Sequence, residues 1–527
     1  VLDDNQYLIR PGEKAGIEDR WAAAILLLVA AVARLALLGI KPPHFDEGVN
    51  GWFVDQITQT GFYHYDPTNY HGPFHFYVLF LAQTLLGRHI WALRLPLALM
   101  SLACVALTLR FDRFIGRGAA LWAAAAMAVS PGCVFYGRYA IHEYWLVFSL
   151  MLIAWGLAGL LKTGGRGYLW AVWIGVTGAV LTKETYVIHF AAYILTAPCV
   201  WLLGKVSPEA DPGGVAPRQW GWRDMALGAG VFVGCVLFFY SGGFMDFPGL
   251  KGLYQCFGAW AHTGKVGNGH EKPRYYWLKL FGLYEWPSAA GLVAALLCVL
   301  PRTPRAVRGL SIYGVGTLVA YSIIHYKTPW CIVSLTWPFL LLFGYGVDFL
   351  IRKYGSPVSA LAGAVLVANC CDMVSLNFFH FTDAKQPYVY VQTFEDVNKL
   401  MQPLNAMVAL DAANHQMTGY ILMDSYHPLP WMLGDFPNVG YYDQDTKPPK
   451  LDADFLMVDD TRIDEVESQL RDSYFTATFT LRDAQDPSKL YLSAKKFQPV
   501  FPGRQPDFVP EKSPSPPPPS AAPAKIQ

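Results

Sequence analysis

Two carboxylates stand side by side in the run His44-Phe45-Asp46-Glu47-Gly48-Val49-Asn50-Gly51, just beyond the first long apolar stretch. A carboxylate in a partly dehydrated cleft can take the proton of an attacking hydroxyl, so Asp46 is a candidate general base and Glu47 a candidate to position or share that role. The bland alternative is a solvated turn capping a helix that begins at Gly48, since acids favour first turns. Cations recur at the ends of apolar runs: Arg94 in Arg94-Leu95-Pro96, Arg138 in Gly137-Arg138-Tyr139-Ala140-Ile141-His142-Glu143, Lys183 in Leu181-Thr182-Lys183-Glu184, and Lys327 in His325-Tyr326-Lys327-Thr328-Pro329. Singly, each reads as a snorkelling anchor. Together, beside an acidic loop, they suit an anionic head group, with arginine gripping phosphate oxygens in pairs. Aromatic and histidine density is high in Phe62-Tyr63-His64-Tyr65, Tyr70-His71-Gly72-Pro73-Phe74-His75 and Tyr275-Tyr276-Trp277. Such rings stack on sugar faces and also form interfacial belts. His44, His64, His71 and His75 lack metal-ligand spacing on a helix, apart from the isolated His71 and His75, so no metal site is expected.

The elements that must position these residues are membrane spans. Of 527 residues, 53% are hydrophobic and only 15% charged, where a soluble protein carries about 25%. A net charge of +1 offers no basic face to nucleic acid. The cysteines lie almost all in or beside apolar stretches and none follows residue 380, which argues against a disulfide framework. Apolar runs able to cross a core of about 30 Å occur at 21–40, 94–110, 118–134, 143–161, 168–184, 186–203, 225–241, 287–300, 309–325, 330–351 and 357–376. The chain therefore reads as a polytopic α-helical membrane protein with about eleven crossings. The first is not followed by a small-residue cleavage site and reads as an anchor.

Basic loops set the orientation. Arg110/Arg113/Arg117, Lys162/Arg166, Arg302/Arg305/Arg308 and Arg352/Lys353 all fall on the side of the N-terminus, which is then cytoplasmic in the plasma (inner) membrane. That parity requires the apolar segment 74–86, nearer 20 Å than 30 Å at helical rise, to be juxtamembrane or re-entrant. A long first exterior loop, 41–93, then carries the acid pair, and everything after 376 is exterior. In 381–503, short apolar runs such as Met407-Val408-Ala409-Leu410 and Phe455-Leu456-Met457-Val458 read as buried strands. Asp464 to Asp472 has helical character, and Tyr474 to Leu481 and Leu490 to Leu492 read as strands, giving an exterior α/β domain of about 120 residues. A Pro/Ser/Ala-rich tail, 504–527, reads as disordered.

The order Asp46-Glu47, His71-Gly72-Pro73-Phe74, Arg94-Leu95-Pro96, Gly137-Arg138-Tyr139-Ala140, Thr182-Lys183 and Tyr326-Lys327-Thr328-Pro329-Trp330 resembles the GT-C membrane glycosyltransferases, in the branch of the protein O-mannosyltransferases and lipid A aminoarabinose transferases. The stretches 388–393 and His427-Pro428-Leu429-Pro430-Trp431 are most similar to archaeal and bacterial flippase-activity-associated N-glycosylation proteins. The resemblance spans nearly the whole chain. It implies a GT-C fold that transfers a sugar, with inversion, from a polyprenyl-phosphate-linked donor to an acceptor on the exterior face. In that scheme Asp46 acts as base with Glu47 beside it. Arg94 and Lys183 hold the lipid phosphate, aided by Arg138 and Lys327, while His44, His71, Tyr139, Glu143 and Tyr326 line the substrate cleft. Glu143 replaces the more usual Asp, and His71-Gly72 stands where relatives have Lys-Pro or His-Pro. No cofactor is expected, because a lipid phosphate leaves already charged and fixed cations can replace a divalent metal. The implied partners are the lipid-linked sugar, membrane lipid and an acceptor of unknown kind.

A transporter or lipid flippase is the competing class. No internal repeat of the transporter kind is visible, although Glu143 and Glu184 are near-membrane acids of the sort carriers use. A third reading makes the chain an accessory subunit of a glycosylation complex, presenting Asp459-Asp460 and the run Tyr426 to Trp431 to a partner.

Overall fold

The computed structural model describes residues 16–207, 216–266, 269–299, 303–483 and 485–510. The tail from 511 onward and Arg302 lie outside the described residues. The chain divides into two compact units, Val1–Tyr390 and Val391–Gln527.

The first unit is helical: α1 (Ile17–Leu35), α2 (Phe45–Thr60), α3 (Phe74–Leu86), α4 (Ile90–Leu109), α5 (Asp112–Ile115), α6 (Arg117–Val129), α7 (Pro131–Gly137), α8 (Glu143–Thr163), α9 (Arg166–Val180), α10 (Tyr186–Val206), α11 (Trp222–Tyr240), α12 (Gly252–Val266), α13 (Tyr276–Leu283), α14 (Trp286–Cys298), α15 (Arg305–Ile323), α16 (Ile332–Tyr354) and α17 (Ser356–Val374). Among the described residues seven helical segments, those built on α4, α8, α10, α11, α15, α16 and α17, are long and apolar enough to cross a membrane, with an eighth if α6 and α7 count as one. The molecule is a multi-pass membrane protein. Of the remaining expected crossings, α9 and α14 are short, and α1 carries Glu18, Asp19, Arg20 and Arg34.

The expected span 118–134 is broken by 59°. Ser130 is extended there, its hydroxyl accepts from Cys133 N, and Pro131 starts the new helix, as proline does at a first helical position. α3 has 13 residues, too few to cross unaided. α16 is the axis of the bundle and is buried over most of its length. It meets α6 so closely that a Cβ on Gly344 would lie 2.1 Å from Ala119 O, the small-residue contact that helices in lipid use to approach.

The basic loops gather at one end of the bundle. Lys162 Nζ donates to Arg113 O at 2.7 Å, Arg113 donates to the Tyr168 hydroxyl at 3.1 Å, and Arg117 pairs with Asp19 near the start of α1 at 2.8 Å.

The second unit is a mixed five-stranded sheet in the order β2-β1-β3-β5-β4, with β1 (Gly419–Leu422), β2 (Val439–Tyr442), β3 (Phe455–Val458), β4 (Tyr474–Phe479) and β5 (Ser488–Ser493). β1 runs parallel to β2 and β3, while β5 is antiparallel to β3 and β4. β3 is buried on both faces: Phe455 and Met457 join one core with Leu400 and Leu404, and Leu456 and Val458 join another with Val466. Met407-Val408-Ala409-Leu410, expected as a strand, closes the helix α18 (Asn398–Leu410). Val397, Leu400, Leu404 and Met407 recur every three or four residues and face one core, so the helical period prevails over the local apolar run.

Between α13 and α14, Glu285 is fully buried. Its carboxylate accepts from Ser130 Oγ at 2.6 Å, Gly132 N at 2.8 Å and the Tyr388 hydroxyl at 3.1 Å. Burial pushes this carboxyl up from its ordinary 4.5 to about 7, against those three hydrogen bonds. A raised carboxyl binds its proton more tightly in the folded state, so the stability cost is absent below the unfolded value and grows as pH rises toward the folded one. The thermal midpoint of the detergent-solubilised protein is therefore expected to fall between pH 4.5 and 7, and Glu285→Gln, whose Oε1 can still accept from Gly132 N and the Tyr388 hydroxyl while its amide turns a donor toward Ser130 Oγ, to flatten that decline. An unchanged slope in the variant would reject the assignment.

Candidate active site

α2 begins at Phe45, three residues earlier than the helix expected from Gly48, with His44 as its cap. His44 Nδ1 accepts from Asp46 N at 3.1 Å, and Glu47 Oε2 reaches back to His44 N at 2.9 Å, a reciprocal capping arrangement. The two acids thus take different parts. Glu47 turns inward with no exposed surface. Its oxygens accept from Arg94 Nε at 2.8 Å, Arg94 Nη2 at 2.6 Å and Ala140 N at 2.8 Å. Burial raises the Glu47 carboxyl, but the Arg94 guanidinium and the donated hydrogen bonds outweigh it and hold it below the usual range. In this structure its oxygens serve to anchor Arg94, the cap of α2 and Ala140.

Arg94 is equally committed. Beyond its pair with Glu47, it donates to Leu38 O and Lys41 O at 3.0 Å and to Pro42 O at 3.1 Å, so all five of its N–H groups are engaged. Arg138 closes the end of α1, donating to Ala33 O at 3.1 Å, Arg34 O at 3.3 Å, Ala36 O at 2.7 Å and Leu37 O at 2.9 Å. These are the carbonyls a helix end leaves unpaired. In this structure the donors of Arg94, and those of Arg138 other than its buried Nε, are spent on Glu47 and on backbone carbonyls, not held free for a phosphate as the resemblance implied. Lys327 Nζ is buried on Lys272 O and Ile324 O, so it too braces backbone.

Asp46, Asn50, His71, His142, Glu143 and Trp330 line one cleft. Lys183 reaches this wall in an ion pair with Glu143, and Glu184 Oε2 lies 2.8 Å from His71 Nδ1. Both pairs tie the α9–α10 turn to the elements around it. The segment leading into α3 is clamped to the same turn: Gly72 N donates to Thr182 O at 3.1 Å and Phe74 N to Leu181 O at 3.2 Å. A Cβ on Gly72 would lie 2.2 Å from Leu181 O, which is why glycine follows His71. Asp46 remains, partly exposed, with no hydrogen bond or ion pair to its carboxylate among the described residues. Its charge is felt by Tyr70, Tyr326 and His270.

His44 and Tyr139 form the wall behind the cleft. His44 Nε2 bonds Tyr390 O at 2.8 Å, and its ring lies edge-on to Tyr139 at 5.2 Å and Trp330 at 5.6 Å. Lys41, unremarked in the sequence, is buried with its ammonium 3.8 Å from the Tyr139 ring centroid; burial, then Arg94 and Arg138, push it well below its usual range. A second missed element is the segment 269–275. It pairs with the Tyr326 loop through Lys272 N to His325 O at 3.1 Å and Lys327 N to His270 O at 3.0 Å. His270 Nδ1 bonds the Tyr390 hydroxyl at 2.6 Å, and Lys272 Nζ lies 5.1 Å from the Tyr390 ring centroid. Asn50, four residues after Asp46 on α2, was legible from helical spacing. Among the described residues no three His, Cys, Asp or Glu side chains come together as a metal-ligand group.

Residues 70–207 match the family model described as dolichyl-phosphate-mannose-protein mannosyltransferase. The structure of ArnT from Cupriavidus metallidurans bound to undecaprenyl phosphate superposes with a TM-score of 0.58 at 16% identity, covering 90% of this chain and 97% of that one. The chain has the GT-C fold. The apo state of the same ArnT gives a TM-score of 0.56 with equal identity and coverage. No curated protein matches the chain in sequence. On this GT-C framework the geometry separates anchors from cleft residues: Glu47, Arg94 and Arg138 hold backbone, whereas Asp46, His71, Glu143 and Lys183 surround space.

Arg94→Ala is accordingly expected to strand a buried carboxylate and destabilise the protein by about 3–5 kcal/mol. The loss should appear as a lowered thermal midpoint and poor recovery of folded material on size exclusion. Arg94→Lys should not restore it, because an ammonium cannot span both oxygens and three carbonyls. A well-folded Arg94→Ala with only weakened lipid binding would return Arg94 to the substrate.

Proposed function

We propose that the chain is an inverting glycosyltransferase that moves a sugar from a polyprenyl-phosphate-linked donor to an acceptor at the exterior face, with Asp46 as general base. One observation carries this reading. Of the two acids that line the cleft, Glu143 is paired with Lys183, and Asp46 is left without a partner among the described residues. The similarity of the fold to a structure holding undecaprenyl phosphate supports a lipid phosphate as the leaving group.

In this mechanism the acceptor oxygen attacks the anomeric carbon on the face opposite the phosphate, its proton passes to Asp46, and the bond from the anomeric carbon to the phosphate oxygen breaks. Polyprenyl phosphate departs with the electron pair. Fixed positive charge lowers the barrier by meeting the growing negative charge. Lys272 and Arg274, on the segment that faces Asp46 through His270, make no ion pair among the described residues, and we assign them the phosphate in place of Arg94. Lys183 stays at the cleft wall, where a phosphate can share it with Glu143. The acid-bearing end of the bundle lies outside the membrane, opposite the end where the arginine loops meet, by the positive-inside bias.

Asp46→Asn is expected to abolish release of polyprenyl phosphate, by about 100-fold or more, while leaving the thermal midpoint unchanged. Lys272→Ala and Arg274→Ala are expected to raise the donor KM. Chelators should leave the rate unaltered. These are read from free polyprenyl phosphate released by purified protein given a panel of polyprenyl-phosphate-linked monosaccharides. If no donor is cleaved while labelled lipid crosses the bilayer of reconstituted vesicles, the transferase reading gives way to a flippase.

A further inference from the structure

His142 ends the backbone run that joins α7 to α8, and its imidazole is 2% exposed. The ring packs between His71, at 4.4 Å, and His75, at 4.0 Å, and lines the cleft that holds Asp46. Both neighbours are engaged. His75 Nδ1 accepts from Trp145 Nε1 at 3.0 Å and its Nε2 donates to Ala140 O at 3.2 Å, while His71 Nδ1 is held by Glu184. His142 Nε2, though buried, has no hydrogen-bond partner among the described residues. An unpaired buried nitrogen costs about 1–3 kcal/mol, and native structures seldom leave one without a purpose.

Burial, then His75, His71 and Lys183, hold the His142 imidazole well below its usual range and so uncharged. Beside Asp46 and the paired Glu143, two asparagines add neutral polar surface to the same cleft. Asn50 donates its amide N–H to Ala140 O at 2.8 Å, leaving Oδ1 with no donor among the described residues. Asn69 borders the same space, and the half-buried Trp330 supplies a flat apolar face. Neutral donors and acceptors beside an indole suit the hydroxyls and C–H face of a sugar ring. A carboxylate-bearing sugar would meet the charge of Asp46 and of Glu143 and find His71 already paired.

We propose that this floor is the sugar subsite, that His142 Nε2 hydrogen-bonds a ring hydroxyl, and that the transferred sugar is neutral and hydroxylated, not a uronate. The proposal rests on the glycosyltransferase reading and names the substrate class of the same cleft. His142 is a specificity residue in it.

The test is equilibrium binding to the purified full chain of undecaprenyl phosphate alone and of undecaprenyl-phosphate-linked glucose, mannose, galactose and glucuronate. At least one neutral donor is expected to bind about tenfold tighter than the bare lipid phosphate, and the glucuronate no tighter than it. His142→Phe, which keeps a ring and loses the nitrogen, should erase that sugar increment and leave undecaprenyl phosphate binding as it was. His142→Gln should restore part of it. With the wild-type protein, one mono-deoxy analogue of the preferred donor should lose the increment too, an arm that needs no variant to fold. A preference for the glucuronate, or an increment that survives both His142→Phe and every deoxy analogue, overturns the proposal. Should the increment depend on His142 while Asp46→Asn still transfers, the catalytic reading fails and the subsite stands.

Discussion

The pair Glu47–Arg94 is the interaction on which the rest of the first unit depends. Burying two charges is costly, and a bare pair of them would be close to neutral for stability. Here the cost is offset by saturation: each N–H of Arg94 and both oxygens of Glu47 have partners, most of them backbone groups with no other means of pairing. One guanidinium thereby fixes the exit of α1, the cap of α2 and the segment at Ala140. Asn50 and His75 converge on the Ala140 carbonyl, so the floor of the cleft inherits its position from the same node. The interaction buys rigidity at a place where the backbone is irregular and where lipid offers no water to satisfy it.

Charge balance then shapes the chemistry. Lys183 with Glu143 and His71 with Glu184 are stacked on one turn, held against the segment leading into α3 by backbone bonds through Gly72. Each pair cancels most of its own field. What remains at the cleft is the single negative charge of Asp46, and beyond it the cations of the segment 269–275. Separated opposite charges across a water-poor space are what a reaction that moves charge from an attacking oxygen to a departing phosphate can use.

Much of this was legible in the sequence. The apolar runs located most helices, the acid pair located the cleft, and Glu143, Lys183 and His71 all arrive at it. Charge sign, however, does not reveal where a side chain's hydrogens point. Arg94 and Arg138 looked like phosphate ligands because they are cations at span ends, yet three-dimensional proximity to the carbonyls ending α1 and opening the loop claims them first. The segment 269–275 has no apolar period, and its turn residues Gly269 and Pro273 do not say what it pairs with; only its backbone pairing with residues 325–327 brings His270 near Asp46. Met407–Leu410 shows the opposite failure: a four-residue apolar run carries no information on period, and the helix emerges only when Val397, Leu400 and Leu404 are read with it.

The adjacency of Asp46 and Glu47 explains why a pair is needed at all. Neighbouring residues on a helix point about 100° apart, so only one of two successive acids can face the core. Glu47, at the third helical position, is the one that can both reach back to the cap and meet Arg94. That commitment locks the rotation of the α2 first turn, and with it the direction of Asp46. The outward acid needs no partner of its own to be well placed, because its neighbour supplies the orientation. A carboxylate held by hydrogen bonds would be precisely aimed but a poor base. One left free on an unanchored turn would be a good base without an aim. In the mechanism proposed for Asp46, dividing the two tasks between consecutive residues meets both requirements.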